Sequence, residues 1–295
     1  MAHHFLAHSL AQSADQIPQF QKFFAEQARG VGSTLFISAE PMARHAILSA
    51  PDLYNTWADK GRYISRIHKV FGADDTEIVI VLRQPQQLAE SIYKELIRKS
   101  NASISFERFL ATRFYGYNFP KLVTSWQNYF NKVTVRIFED DRKHPEGTIG
   151  AILRPICPDM PRIPKQEILS SGLDPQYVAF KRMINTGRFS NGDIAKILDA
   201  LSQLNDIHPR NDRSTFWTEQ LLALFQRRAE VWSDAIGAGF FLGQNQLFPP
   251  FTMGDLNSFY GLTASEFAQI LDQISETLPY RLVEKIVNHL ATQLQ

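Results

Sequence analysis

Arg83, Pro85, Ser91 and Tyr93 follow the apolar run Ile78 to Leu82 in the pattern Arg-x-Pro-x5-Ser-x-Tyr. A guanidinium presents parallel N–H donors that match two oxygens of a phosphate, and a nearby hydroxyl adds a neutral donor. These residue types at this spacing suit a phosphate monoester. They equally fit a strand closed by a surface arginine, a proline at the first helical position and an unrelated serine. A second group is Ser38-Ala39-Glu40, which follows Leu35-Phe36-Ile37 and precedes Pro41. A carboxylate in that place can take the proton of a hydroxyl or amine as it attacks an electrophile. An acid favoured by the dipole at a helix start is the other reading of Glu40.

The remaining candidates point to structure. The eight histidines are scattered, without an HExxH motif, so no metal site is expected. There is no Gly-x-Ser-x-Gly elbow, and Cys157 sits among prolines with no evident base beside it. Arg227 and Arg228 read as a solvated helix face. Gly237 to Gly243 follows a helical stretch and reads as a helix end and turn. Phe248, Phe251, Phe259 and Tyr260 surround Pro249-Pro250 and anchor a loop on the core or line an acceptor wall.

The elements that must position Arg83 and Glu40 follow from hydrophobic periodicity. Strands are predicted at 34–38, 77–82 and 133–138, with helices between them at 42–49, 60–70, 86–99, 105–114 and 120–130. The second strand is apolar on both faces, as in a parallel sheet covered on both sides, and the connections are long enough for crossover helices. In 86–99, Leu88, Ile92 and Leu96, flanked by Tyr93 and Ile97, form a stripe expected to pack on the sheet. Arg83 then lies at the carboxyl edge of the sheet, where ligands of α/β folds bind. Three prolines between Cys157 and Pro164 mark an irregular link. Beyond it, helices are predicted near 175–184, 191–204, 215–236, 264–275 and 280–294. The expected fold is an α/β three-layer sandwich, residues 1–155, followed by a mainly helical part, 156–295. Three strands make a thin sheet, so a further strand is expected before Met1.

The chain has 295 residues, 31 Lys+Arg against 30 Asp+Glu, and 44% hydrophobic residues. A formal charge of +1 gives no global field for nucleic acid or acidic lipid. Apolar runs such as Ile78 to Leu82 reach five residues against the roughly 18 a membrane helix needs, so no span is expected. His3, His4 and His8 break the N-terminal stretch, which does not read as a signal peptide, and a single cysteine excludes an intrachain disulfide. A reducing, cytoplasmic setting is expected.

The Arg83-x-Pro85-x5-Ser91-x-Tyr93 pattern after an apolar strand resembles the 3′-phosphate-binding element of sulfotransferases that use 3′-phosphoadenosine 5′-phosphosulfate. The strand ending in Ser38-Ala39-Glu40 is similar to the equivalent element of bacterial and glycan-type members. His3-His4-x-Leu6-Ala7 and residues 133–139 add matches in the same order. The resemblance implies a P-loop-like sandwich. It implies that Arg83 and Ser91 hold the 3′-phosphate, that Glu40 takes the acceptor proton, and that the partners are the nucleotide donor and a small-molecule or carbohydrate acceptor. The chain departs from the family in one element: it has no Lys-x-Gly-Thr-Thr loop to cradle the 5′-phosphosulfate, and Gly30-Val31-Gly32-Ser33-Thr34 reads as a turn. A chain that starts late, a loop lost together with activity, and a substitute loop are the three explanations. A non-catalytic protein that keeps the fold is the alternative function.

Overall fold

The computed structural model describes residues 2–28, 35–37, 56–165, 172–207, 213–241, 247–254 and 256–293. Among these the chain is a mixed α/β protein, mostly helical, with two small parallel sheets of two strands each. It divides into two compact units, each assembled from three separated stretches.

The first unit comprises Met1–Leu82, Tyr115–Asp141 and Trp232–Leu247. It contains α1 (Ala2–Gln12), α2 (Ile17–Ala28), α3 (Thr56–Phe71), β1 (Glu77–Leu82), α6 (Phe119–Gln127), β2 (Lys132–Ile137) and the short α7 (Phe138–Asp141). β1 and β2 pair in parallel, from Glu77 beside Lys132 to Leu82 beside Ile137. Parallel pairing requires a crossover, and residues 83–131 supply it. Ile80 and Leu82 of β1 and Val135 and Ile137 of β2 are buried, which is the period of two that puts alternate residues on one face. α6 packs on both strands and on α3. Its buried residues Phe119, Val123 and Trp126 are spaced by four and then three, as a single helix face requires. α1 and α2 pack on α3. There the Tyr63 hydroxyl donates to Ala7 O at 3.2 Å and Arg66 Nη1 to Leu10 O at 2.7 Å, supplying carbonyls near the end of α1 with partners. His68 stands edge-on to Phe130 at 5.5 Å, an ordinary packing histidine.

The second unit comprises Arg83–Phe114, Arg142–Val231 and Phe248–Gln295. It contains α4 (Pro85–Lys99), α5 (Phe106–Thr112), α8 (Gly147–Leu153), α9 (Pro175–Ile184), α10 (Asn191–Ile207), β3 (Arg213–Thr215), the first part of α11 (Glu219–Phe240), β4 (Leu256–Ser258), α12 (Ala264–Ser275) and α13 (Tyr280–Gln293). β3 and β4 form a second parallel pair, Arg213 beside Leu256 through Thr215 beside Ser258. α9 packs on α4, α10 and α12. The core here is aromatic: Tyr93, Phe106, Phe109, Phe216, Trp217 and Phe225 are all buried, with Phe106 and Trp217 in an edge-to-face pair at 4.9 Å. One polar joint crosses this core. Asn185 Nδ2 donates to Ile97 O at 3.1 Å, Ser100 O at 3.0 Å and Ala102 O at 2.7 Å, and its Oδ1 accepts from the buried Lys181 ammonium. The side chain thus satisfies carbonyls at and just beyond the α4 C-terminus, which no intrahelical donor reaches.

Several expectations change. Leu35, Phe36 and Ile37, the described part of the predicted strand 34–38, have no regular secondary structure, and Leu35 and Phe36 are exposed. An apolar triplet without a partner strand has no ladder to join. The predicted helix 42–49 lies outside the described residues. The stripe on α4 is Ala89, Ile92, Tyr93 and Ile97, with Leu88 and Leu96 half-buried, and α4 packs on α9 and α5 while α6 covers the strands. The helix predicted over 215–236 starts at Glu219 and runs through Gly237 and Gly239 to Phe240. No helix among the described residues is long and apolar enough to cross a membrane.

Candidate functional site

β1 ends at Leu82 and α4 begins at Pro85, so only Arg83 and Gln84 separate strand from helix. Proline suits the first helical position because its missing N–H would have no intrahelical partner. The preceding Gln84 is held extended, at φ −44° and ψ 122°, and its side chain does not cap the helix. Gln84 Nε2 donates instead to Pro249 O at 2.5 Å, tying the turn to the Pro249-Pro250 segment. Gln84 therefore supplies no side-chain acceptor to the first-turn N–H groups of α4, at the end of the helix that carries partial positive charge.

Arg83 is half-buried, and its Nη2 donates to Gln87 Oε1 at 3.3 Å. Gln87 and Ser91 are one helical turn apart and share a face of α4. Ser91 is exposed, and among the described residues its hydroxyl makes no hydrogen bond. The turn of Arg83 and the face of Ser91 thus follow one another along the first two turns of a single helix, linked by Gln87. A phosphate oxygen is a better acceptor than the amide oxygen at the end of the 3.3 Å bond, because a charged acceptor shortens and strengthens an arginine hydrogen bond.

Three polar residues beside this face, Glu90, Lys94 and Thr215, were not singled out from the sequence. Glu90 Oε2 accepts from Thr215 Oγ1 at 2.5 Å, and Glu90 Oε1 is 3.0 Å from Lys94 Nζ. Glu90 and Lys94 could have been found by their positions, because they continue the face of Gln87 and Ser91 at helical spacing. Thr215 carries no such signal: it arrives from β3, 125 positions along the chain.

Tyr93, part of the sequence pattern, belongs to the core instead. It is fully buried, its hydroxyl donates to Ile104 O at 3.1 Å, and Arg182 Nη1 approaches the phenol oxygen at 3.4 Å. Burial raises its pKa above the ordinary phenol value, with Arg182 opposing. Glu40 and Ser38 lie outside the described residues, as do His45 and His208. His3 and His4 fall in α1. Residues 133–139 form most of β2 and the start of α7, where Arg136 forks onto Asp141 with Nη2 to Oδ1 at 2.6 Å and Nε to Oδ2 at 3.0 Å. That pair raises the Arg136 pKa and closes the turn after the strand.

No family model matches the chain, and neither a curated protein nor a solved structure is similar to it.

Proposed function

We propose that this protein binds a nucleotide bearing a 3′-phosphate and acts as a sulfotransferase, moving a sulfuryl group from 3′-phosphoadenosine 5′-phosphosulfate to a hydroxyl, with a carbohydrate as the acceptor class. The observation that supports it best is Arg83, placed directly after a parallel strand and bonded to Gln87 on the helix face that carries exposed Ser91. In this reading the fold is a P-loop-like three-layer sandwich whose mostly parallel sheet includes β1 and β2, and the protein works in the cytoplasm. Arg83 and Ser91 hold the 3′-phosphate. The acceptor oxygen attacks sulfur as the bond from sulfur to the 5′-phosphate oxygen breaks. Glu40 receives the acceptor proton, and adenosine 3′,5′-bisphosphate leaves.

A second reading has its own observation. The chain contains no Lys-x-Gly-Thr-Thr loop, and without such donors the sulfuryl group loses its main electrostatic stabilisation. A protein that binds the nucleotide or a partner without transfer fits that departure.

Calorimetric titration with adenosine 3′,5′-bisphosphate against adenosine 5′-monophosphate tests the site, because the two differ by the phosphate assigned to Arg83 and Ser91. A preference of at least tenfold for the bisphosphate, lost in Arg83→Ala, is expected. Equal affinity for the two, or a preference that survives Arg83→Ala, overturns the assignment. Transfer activity separates the two readings: Glu40→Gln removes it while sparing nucleotide binding in the first, and there is none to remove in the second.

A further inference from the structure

The Pro-rich link is built around one arginine. Arg154, just after α8, donates from Nη2 to Glu146 Oε1 at 2.5 Å and from Nε to Glu146 Oε2 at 3.0 Å, while Nη1 reaches Pro158 O at 2.9 Å and Met160 O at 2.5 Å. Ile163 N donates to Glu146 Oε1 at 3.2 Å. These bonds pull residues 157–165 back over the start of α8. Two glycines make the fit possible. Gly147 has φ +66°, which side chains other than glycine rarely adopt. A Cβ at Gly150 would collide with Glu146 and come within 3.1 Å of His144 Nδ1.

Beside the clamp lies an open surface hollow of about 640 Å³ lined by His144, Glu146, Arg154, Arg162, Ile163 and Lys165. That volume lies in the range of about 300–1,000 Å³ usual for small-molecule sites. Its charge is unbalanced. The Glu146 carboxylate is committed to Arg154, which also holds its pKa below the ordinary range. Arg162 and Lys165 make no ion pair among the described residues. His144 Nδ1 accepts from Glu146 N at 3.2 Å, so the neutral ring carries its proton on Nε2, a further donor.

We infer that this hollow binds a small anionic ester, a phosphate or sulfate monoester of a polar molecule such as a sugar, with Arg162 and Lys165 on the anionic group. This site is separate from the one at Arg83 and does not rest on the proposed function. Walls stiffened by proline and by the clamp reduce the ordering cost of binding, and a local pair of cations attracts an anion where the chain's overall charge of +1 does not.

Titration of the full chain with glucose 6-phosphate, glucose 6-sulfate and glucose tests the inference and distinguishes the two esters. At least one ester is expected to bind saturably and at least tenfold more tightly than glucose, more weakly as salt rises, and to shift the His144 ring resonances. The double variant Arg162→Ala/Lys165→Ala, which removes two exposed side chains, is expected to lose at least tenfold in affinity with an unchanged melting temperature. Arg83→Ala is expected to bind the ester as the wild type does. Absence of saturable ester binding, binding of glucose equal to the esters, full affinity in the double variant, or loss in Arg83→Ala each overturns it.

Discussion

The clamp at Arg154 and the joint at Asn185 both hold a cation in place, and they do so in opposite electrostatic ways. Arg154 meets a carboxylate, Glu146, and its guanidinium favours the charged form of that carboxyl. Lys181 is fully buried, and its partner is the neutral amide of Asn185; burial lowers its ammonium from 10.5 to about 8. A cation facing a carboxylate ties down a loop at the surface. A cation facing an amide is retained only because the amide is itself anchored, through three carbonyls around the α4 C-terminus. The two regions should therefore respond to mutation and to pH in different directions.

The largest effect is expected from Asn185→Ala. It strips three carbonyls of their donor and leaves the Lys181 ammonium buried without its partner, a loss of about 3 kcal/mol or more in the free energy of unfolding, read by urea denaturation. Next comes the pH dependence of Lys181. Its folded pKa is lowered, so the unfolded chain binds more protons between pH 8 and pH 10.5 and stability rises across that window. A gain of about 1 to 3 kcal/mol is expected in the wild type and none in Lys181→Met, compared by denaturation at pH 7 and pH 10. A flat profile in the wild type would show that folded Lys181 keeps the ordinary lysine pKa, as a solvated ammonium does.

Glu146 carries the opposite sign. Its folded pKa lies below the ordinary 4.5, so its contribution is whole above that pH and is lost as pH falls through the lower folded value. Glu146→Gln is expected to melt below the wild type at pH 7, to lose that difference in acid, and to be cleaved faster by trypsin between residues 157 and 165. The smallest stability effect is expected from Ser91→Ala, under about 0.5 kcal/mol because the side chain is exposed. Its consequence should appear in adenosine 3′,5′-bisphosphate binding, weakened severalfold with the fold intact.

Much of the local structure was legible before the fold. The helices at Pro175–Ile184 and Ala264–Ser275 start and stop where the sequence places them. Proline at the first helical position marks one, and the Thr263–Glu266 capping box marks the other. β1 is equally plain, because Ile78 to Val81 are β-branched and the run is bounded by Glu77 and Arg83. The helix predicted over 215–236 begins at Glu219, because Thr215 belongs to a strand, Arg213–Thr215, that pairs with Leu256–Ser258 about forty positions away, and that pairing outweighs local propensity. Gly237 and Gly239 read as a helix end, yet α11 passes through both. Of the candidate site, Arg83 and Ser91 were visible as a motif on one strand-to-helix unit. Gln87 and Glu90 were missed, although helical spacing places them on the same face.

The sequence by itself determined where most helices run, that a strand ends at Arg83 and that prolines break the chain between residues 157 and 164. These depend on interactions within a few residues: capping, ring constraint and the burial period of one element. Tertiary structure alone decided that Thr215 reaches Glu90, that Asn185 closes the end of α4, and that the two units are woven from alternating stretches of chain. Each of those contacts joins residues brought together by packing. A buried hydrogen bond between distant residues leaves no local pattern, because either partner alone is an ordinary polar side chain.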